Sequence, residues 1–110
     1  TMLENFADNR MKGRGGARAA MAGYVNGWVS RMKRHRRNIA RASMLERKTG
    51  RTPMEDGERR FLGCRIRLDA LELERHAVQV GQLLGRVNAR FRELGIDEIP
   101  TPALLRREQQ

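Results

Sequence analysis

Two stretches of the chain carry apolar residues at alternating steps of four and three. The first runs through Met21, Val25, Trp28, Met32, His35, Ile39 and Ala42, with His35 its one polar member. The second runs through Ile66, Ala70, Leu73, Ala77, Val80, Leu84, Val87, Phe91 and Leu94. Such steps return side chains to one side of a helix every two turns, so that two helices can share a single apolar seam. The spacing predicts one long helix over 17–48 and a second over 53–94.

The boundaries carry their own signals. A short helix is expected over 2–12, with Met2, Leu3, Phe6 and Met11 as its apolar members, and glycines break it at 13–16. Arg14-Gly15-Gly16 is a single RGG triplet and reads as a hinge. The first seam ends at Thr49-Gly50-Arg51, where glycine is the residue expected just past a helix. Thr52-Pro53-Met54-Glu55 follows at once. Threonine caps the backbone, proline suits the first helical position, and glutamate three residues on closes a capping box. One helix therefore stops and another starts within a few residues. Gly57 and Gly63 weaken the opening of the second helix, which is expected to fray or bend there, and Gly95 ends it. The tail, 96–110, holds Thr101-Pro102, Leu104 and Leu105. It reads either as one or two docked turns or as a loose end.

Two seamed helices joined by a short turn fold back antiparallel. With the turn centred near Gly50 and Arg51, the numbers of facing residues sum to roughly 102. Trp28 then lies near Leu73 and Glu74, and Met21 near Val80. Leu84 to Leu94 extend past the first arm, and the same arithmetic brings Leu3 and Phe6 toward them, which predicts a buried Phe6. A further row, Phe61, Cys64, Leu68, Leu71 and Val78, lies on a neighbouring face. One partner helix does not cover both rows. A second copy of the chain completing a four-helix bundle is the expected solution. The alternative is an exposed patch that is itself a binding site.

Charge sharpens the picture. The chain has 110 residues, 23 Lys/Arg against 13 Asp/Glu, and a formal charge of +10. Residues 1–50 hold 12 basic and 3 acidic residues, and residues 51–110 hold 11 and 10, so the excess sits in the first half. Arg31, Lys33, Arg34, Arg36, Arg37 and Arg41 crowd around one stretch of the first seam. Like charges this dense repel and call for a counter-charge. Phosphates are one source, gripped by the planar forks of arginine. Asp69, Glu72 and Glu74, opposite residues 28–33, are another, and three acids neutralise six bases only in part.

Other chemistries find little support. Cys64 is the single cysteine, so no internal disulfide forms, and its apolar surroundings predict a small buried residue. No apolar run approaches the roughly 20 residues that cross a bilayer, and the expected location is cytoplasmic. His35 sits on the seam as a packed polar insertion. Glu72 and His76 stand one turn apart, which is better explained as an ion pair than as half a metal site. Tyr24 and Trp28 read as core rather than as a base-stacking platform. No catalytic residue, metal site, cofactor or small-molecule substrate is expected, and the chain does not read as an enzyme.

The resulting expectation is an all-α antiparallel helical hairpin, coiled-coil-like, forming one helical domain over 1–110 that self-association completes to a bundle. Its expected function is that of a nucleic-acid-associated accessory or architectural protein. DNA or RNA phosphates would be held by Arg31, Lys33, Arg34, Arg36, Arg37 and Arg41, with Arg47, Lys48 and Arg51 extending the basic surface at the hairpin tip. The main alternative is a protein–protein adaptor or assembly subunit that uses its apolar faces on a protein partner or a second copy. A membrane partner fits less well, because the basic arm lacks a broad apolar face opposite its charges.

Overall fold

The structure, a computed structural model, describes residues 16–108. Three helices follow one another: α1 (Gly16–Arg47), α2 (Pro53–Glu93) and α3 (Ala103–Glu108). No strand occurs among the described residues. The two long helices pack against each other in a hairpin-like pair, a rod measuring 60 × 25 × 19 Å. The helix expected over 2–12, the glycines at 13–15 and the burial expected of Phe6 lie outside the described residues.

The turn is built as the sequence indicates. Gly50 adopts φ 70°, the left-handed conformation that a side chain disfavours. The Thr52 hydroxyl accepts from the Glu55 amide at 3.1 Å, and the Glu55 carboxylate accepts from the Thr52 amide at 3.0 Å. Two amides at the start of α2 that lack helical partners are thereby satisfied. Arg51 closes the other side. It donates to the Leu45 and Lys48 carbonyls at 2.9 and 3.0 Å and to the Asp56 carboxylate at 2.8 Å. One guanidinium thus ties the end of α1 to the start of α2. The far end of α2 closes on Gly95, also at φ 70°. The Ile96 amide donates to Phe91 and the Gly95 amide to Arg92, the paired bonds of a Schellman motif.

The core follows the two seams. Met21, Val25, Trp28 and Met32 of α1 meet Leu73, Ala77, Val80, Leu84, Val87 and Phe91 of α2 in one cluster. Trp28 is fully buried, and its indole N–H donates to the Leu73 carbonyl at 3.1 Å, in the expected register. Ion pairs Arg31–Glu72 and Arg41–Glu58 repeat that antiparallel register along the rod. His35 is buried on the seam.

Several positions depart from the strict four–three pattern. Ile39 and Leu94 are exposed, whereas Leu45, Leu62 and Leu83, off the expected rows, are buried. Leu94 is the C-cap, where α2 has already ended. On α1 the buried side shifts from the row of Ile39 to Leu45, in keeping with a straight helix that drifts by about 20° per heptad against a repeat of seven. Gly57 and Gly63 neither fray nor interrupt α2, which is continuous from Pro53. Cys64 is exposed rather than buried, because it lies on the side of α2 turned away from α1.

The overhanging part of α2 is covered by the tail, within the described residues. Ile99 and Leu105 are buried in the main cluster, with Ile96 and Leu104 packed against it. Asn88 pins this segment: its amide donates to the Ile99 carbonyl and its carbonyl accepts from the Ile99 amide, both at 2.8 Å. Arg18 of α1 reaches the same segment, donating to the Asp97 and Glu98 carbonyls. A buried asparagine with both functions met contributes more than its size suggests, since its loss strands two backbone groups. Asn88→Ala is therefore expected to cost about 2 kcal/mol in urea unfolding. It should also remove the hydrogen-exchange protection of the Ile99 amide while amides in the middle of α2 keep theirs.

Candidate nucleic-acid interface

From Gly16 to Leu45, α1 contains no acidic residue and seven basic ones. Its inward stripe passes through Met32 and His35, and Lys33, Arg34, Arg36, Arg37 and Arg41 are all exposed. At 3.6 residues per turn, Lys33 and Arg37 stand one above the other on the outer side. Arg36 lies on one flank, and Arg34 on the other, where it borders a cleft shared with α2. Arg31, half-buried, sits beside Arg34.

The structure divides the nine candidate residues into two groups. Four are held by acids of α2. Arg31 meets Glu72 at 3.3 Å, Arg41 grips Glu58 with two nitrogens at 2.7 and 3.2 Å, Lys48 meets Glu55 at 2.5 Å, and Arg51 meets Asp56. Among the described residues the other five, Lys33, Arg34, Arg36, Arg37 and Arg47, have no acidic partner. Asp69 and Glu74, expected to neutralise part of the arm, do not reach it. Asp69 pairs with Arg65 one turn away on its own helix.

Location explains the division. Glu55, Asp56 and Glu58 cluster in the opening turns of α2, where the helix dipole favours negative charge. There they meet the cations of the hairpin tip. The Lys48 ammonium, then the Thr52 amide, hold the Glu55 carboxyl down to about 2. Arg51 lowers Asp56 in the same way, and Arg41 lowers Glu58. In the register set by Trp28 and Leu73, Lys33 to Arg37 lie opposite residues 64–68 of α2, which include no acid.

Arg31 and Arg34 also line a shallow cleft of about 100 Å³ together with Arg65, Asp69, Glu72 and Leu73. Sequence patterning does not single out Arg65: its proximity depends on the helix pairing, so no local signal marks it. Three guanidiniums and two carboxylates leave the cleft with one excess positive charge. It is far smaller than the roughly 300 Å³ at which small-molecule sites begin, and suits a single anionic group or a chloride-sized ion.

Elsewhere the chemistry is sparse. No three His, Cys, Asp or Glu among the described residues are placed to hold a metal ion. His76 Nδ1 lies 4.0 Å from Glu72. His35 is enclosed and its Nδ1 has no hydrogen-bond partner among the described residues. Trp28 is fully in the core, and Tyr24, one turn before it on α1, is half-exposed. No described helix is long and apolar enough to cross a membrane. Comparison of the chain with protein-family models, curated proteins and solved structures finds no match.

The lowered carboxyls make the tip acid-sensitive. A group whose folded pKa is depressed stabilises above its unfolded value and loses that contribution as pH falls toward the folded one. For Glu55 the window runs from the ordinary glutamate range, near 4.5, down to about 2. Thermal melts should show stability declining through this window. Glu55→Gln should be less stable than the parent at neutral pH and show a shallower decline.

Proposed function

We propose that this protein is a nucleic-acid-associated accessory or architectural protein that grips phosphates through the outer side of α1. The observation that carries the reading is the set Lys33, Arg34, Arg36 and Arg37: four exposed cations within two turns of one rigid helix, none met by an acid among the described residues. Held this close together they repel one another, and a row of phosphates relieves that repulsion while releasing condensed counterions. Helical backbone fixes their spacing in advance, so little ordering accompanies binding. Arg47, at the end of α1, extends the surface toward the tip.

The two groups of cations then have different roles. Arg31, Arg41, Lys48 and Arg51 hold the hairpin in register, and the unpaired set meets the polyanion. Such contacts position a rod along a backbone without reading bases, which matches the lack of an exposed aromatic platform. The reading places the protein in the cytoplasm, with no catalytic activity of its own and with self-association completing the hairpin to a bundle. A second reading, that of a protein–protein adaptor, draws on the exposed Phe61, Leu68, Leu71 and Val78.

Binding to labelled duplex DNA and to structured RNA across a salt series tests the proposal. Affinity should fall log-linearly with salt. Changing Arg34, Arg36 and Arg37 together to Gln should weaken binding and flatten the slope by about 0.9 for each duplex phosphate no longer neutralised. Arg41→Gln, which breaks an internal pair, should leave the slope close to the parent's. Absence of binding to either nucleic acid at about 0.15 M salt overturns the reading.

A further inference from the structure

Phe61, Cys64, Leu68, Leu71 and Val78 form a row on α2 with steps of three, four, three and seven, and all five are exposed. Arg75 occupies the missing position of the repeat. The row does not neighbour the packed face as expected: at 100° per residue it lies about half a turn from Leu62, Leu73 and Val80, which face α1. α2 is therefore apolar on two opposite sides, and α1 covers one of them. Gly16 and α3 both lie toward the other end of the rod, beside the Val87–Phe91 part of α2. Neither terminus of the described chain comes near Phe61.

The charges flanking the row say what covers it. Arg65 and Glu72 lie along one edge, Arg67 and Glu74 along the other. Each edge is basic toward its N-terminal end and acidic toward its C-terminal end, and the changeover falls at Leu68–Leu71. An edge of that kind is complementary to itself when turned end for end. This is the requirement of a two-fold interface, in which residue i meets j and j meets i.

We infer that two copies of this chain pair through α2, antiparallel, with facing residue numbers adding to about 139. Leu68 then packs on Leu71 of the other copy, and Phe61 on Val78. In antiparallel packing each edge faces its own counterpart. Arg65 accordingly meets Glu72 and Arg67 meets Glu74, and the two-fold axis repeats each pair. Arg75 falls opposite Cys64, whose small side chain leaves room for the arginine stem to lie along the seam with its head in solvent. The parallel arrangement is disfavoured, because it sets Arg75 against Arg75 and Arg60 against Arg65.

Existing contacts permit these pairs: Arg65 donates to Asp69 through Nε and Arg67 to the Cys64 sulfur through one terminal nitrogen, so each guanidinium keeps further N–H groups for a second acid. Glu72 already accepts from Arg31, but half its side chain is exposed and its second oxygen is available. Glu74 has no side-chain partner among the described residues. The row from Phe61 to Val78 spans about 25 Å, roughly five turns, a continuous seam for two helices. Pairing leaves α1 of each copy on the outside, with its basic face uncovered. The dimer deepens the self-association in the functional reading, yet needs no nucleic acid and stands without the phosphate contacts.

Sedimentation equilibrium of the full chain, free of nucleic acid and under reducing conditions, tests the inference. The expected result at micromolar protein is twice the chain mass of 12.7 kDa. Leu68→Glu with Leu71→Glu should give a monomer with unchanged helical circular dichroism, since both residues are exposed. Arg65→Glu with Arg67→Glu should raise the dissociation constant on the order of tenfold or more. Adding Glu72→Arg and Glu74→Arg to that variant should restore it, a rescue that a mere folding defect would not show. Mild oxidation separates the orientations: in the antiparallel pair the two Cys64 sulfurs lie about 16 Å apart along the axis and stay unlinked. A monomeric parent, failure of the charge-swap rescue, or a rapid Cys64–Cys64 disulfide each overturns the proposed pairing.

Discussion

The five residues between α1 and α2 set the register on which the rest of the structure depends. Gly50 turns the chain through a conformation that side chains resist, Arg51 binds the last carbonyls of α1, and the Thr52–Glu55 box starts α2 within the same turn. None of these contacts is large. Together they fix which residue of one helix faces which residue of the other, and a helical pair offers few independent ways to correct an error of one turn. Trp28 donating to the Leu73 carbonyl is the same register read about midway along the rod.

Register also decides the electrostatics. The acids of α2 that fall beside the tip are taken up by Arg41, Lys48 and Arg51, and Glu72 by Arg31. What remains is a short stretch of α1 whose inner side is committed to packing and whose outer side carries positive charge that no acid among the described residues meets. A helix whose inner face is fixed by Met32 and a buried His35 has little freedom to redistribute those charges. The proposed contact with phosphates follows from this restriction as much as from the number of arginines. The same restriction acts on α2: one side meets α1, and the apolar residues on its other side stay exposed, the face through which we propose that two copies pair.

Much of the fold is legible in the sequence because its signals are periodic or local. Both long helices fall within a residue of their expected ends, and the capping box and the two glycine stops are where spacing places them. Departures arise where geometry accumulates over distance. Ile39 fits a strict repeat of seven but has rotated out of the contact stripe, while Leu45 has rotated into it, and Leu94 falls at the C-cap, past the last turn of α2. Cys64 reads as a core residue on the strength of its apolar neighbours, yet those neighbours share its exposed face. The role of Asn88 has no sequence signal at all, since its partner Ile99 lies in an irregular segment whose path no period describes.

The candidate site is legible in part for the same reason. Counting charges identifies the basic arm, but only the pairing of the helices separates Arg41 and Arg51, which are held, from Arg34, Arg36 and Arg37, which no acid among the described residues holds. The measurement that tests this division most directly is a nuclear magnetic resonance titration of the arginine Nε–Hε signals with a short duplex. The account predicts shifts at Arg34, Arg36 and Arg37, with Arg41 and Arg51 unmoved. Equal shifts at all five, or shifts confined to Arg41 and Arg51, would contradict it.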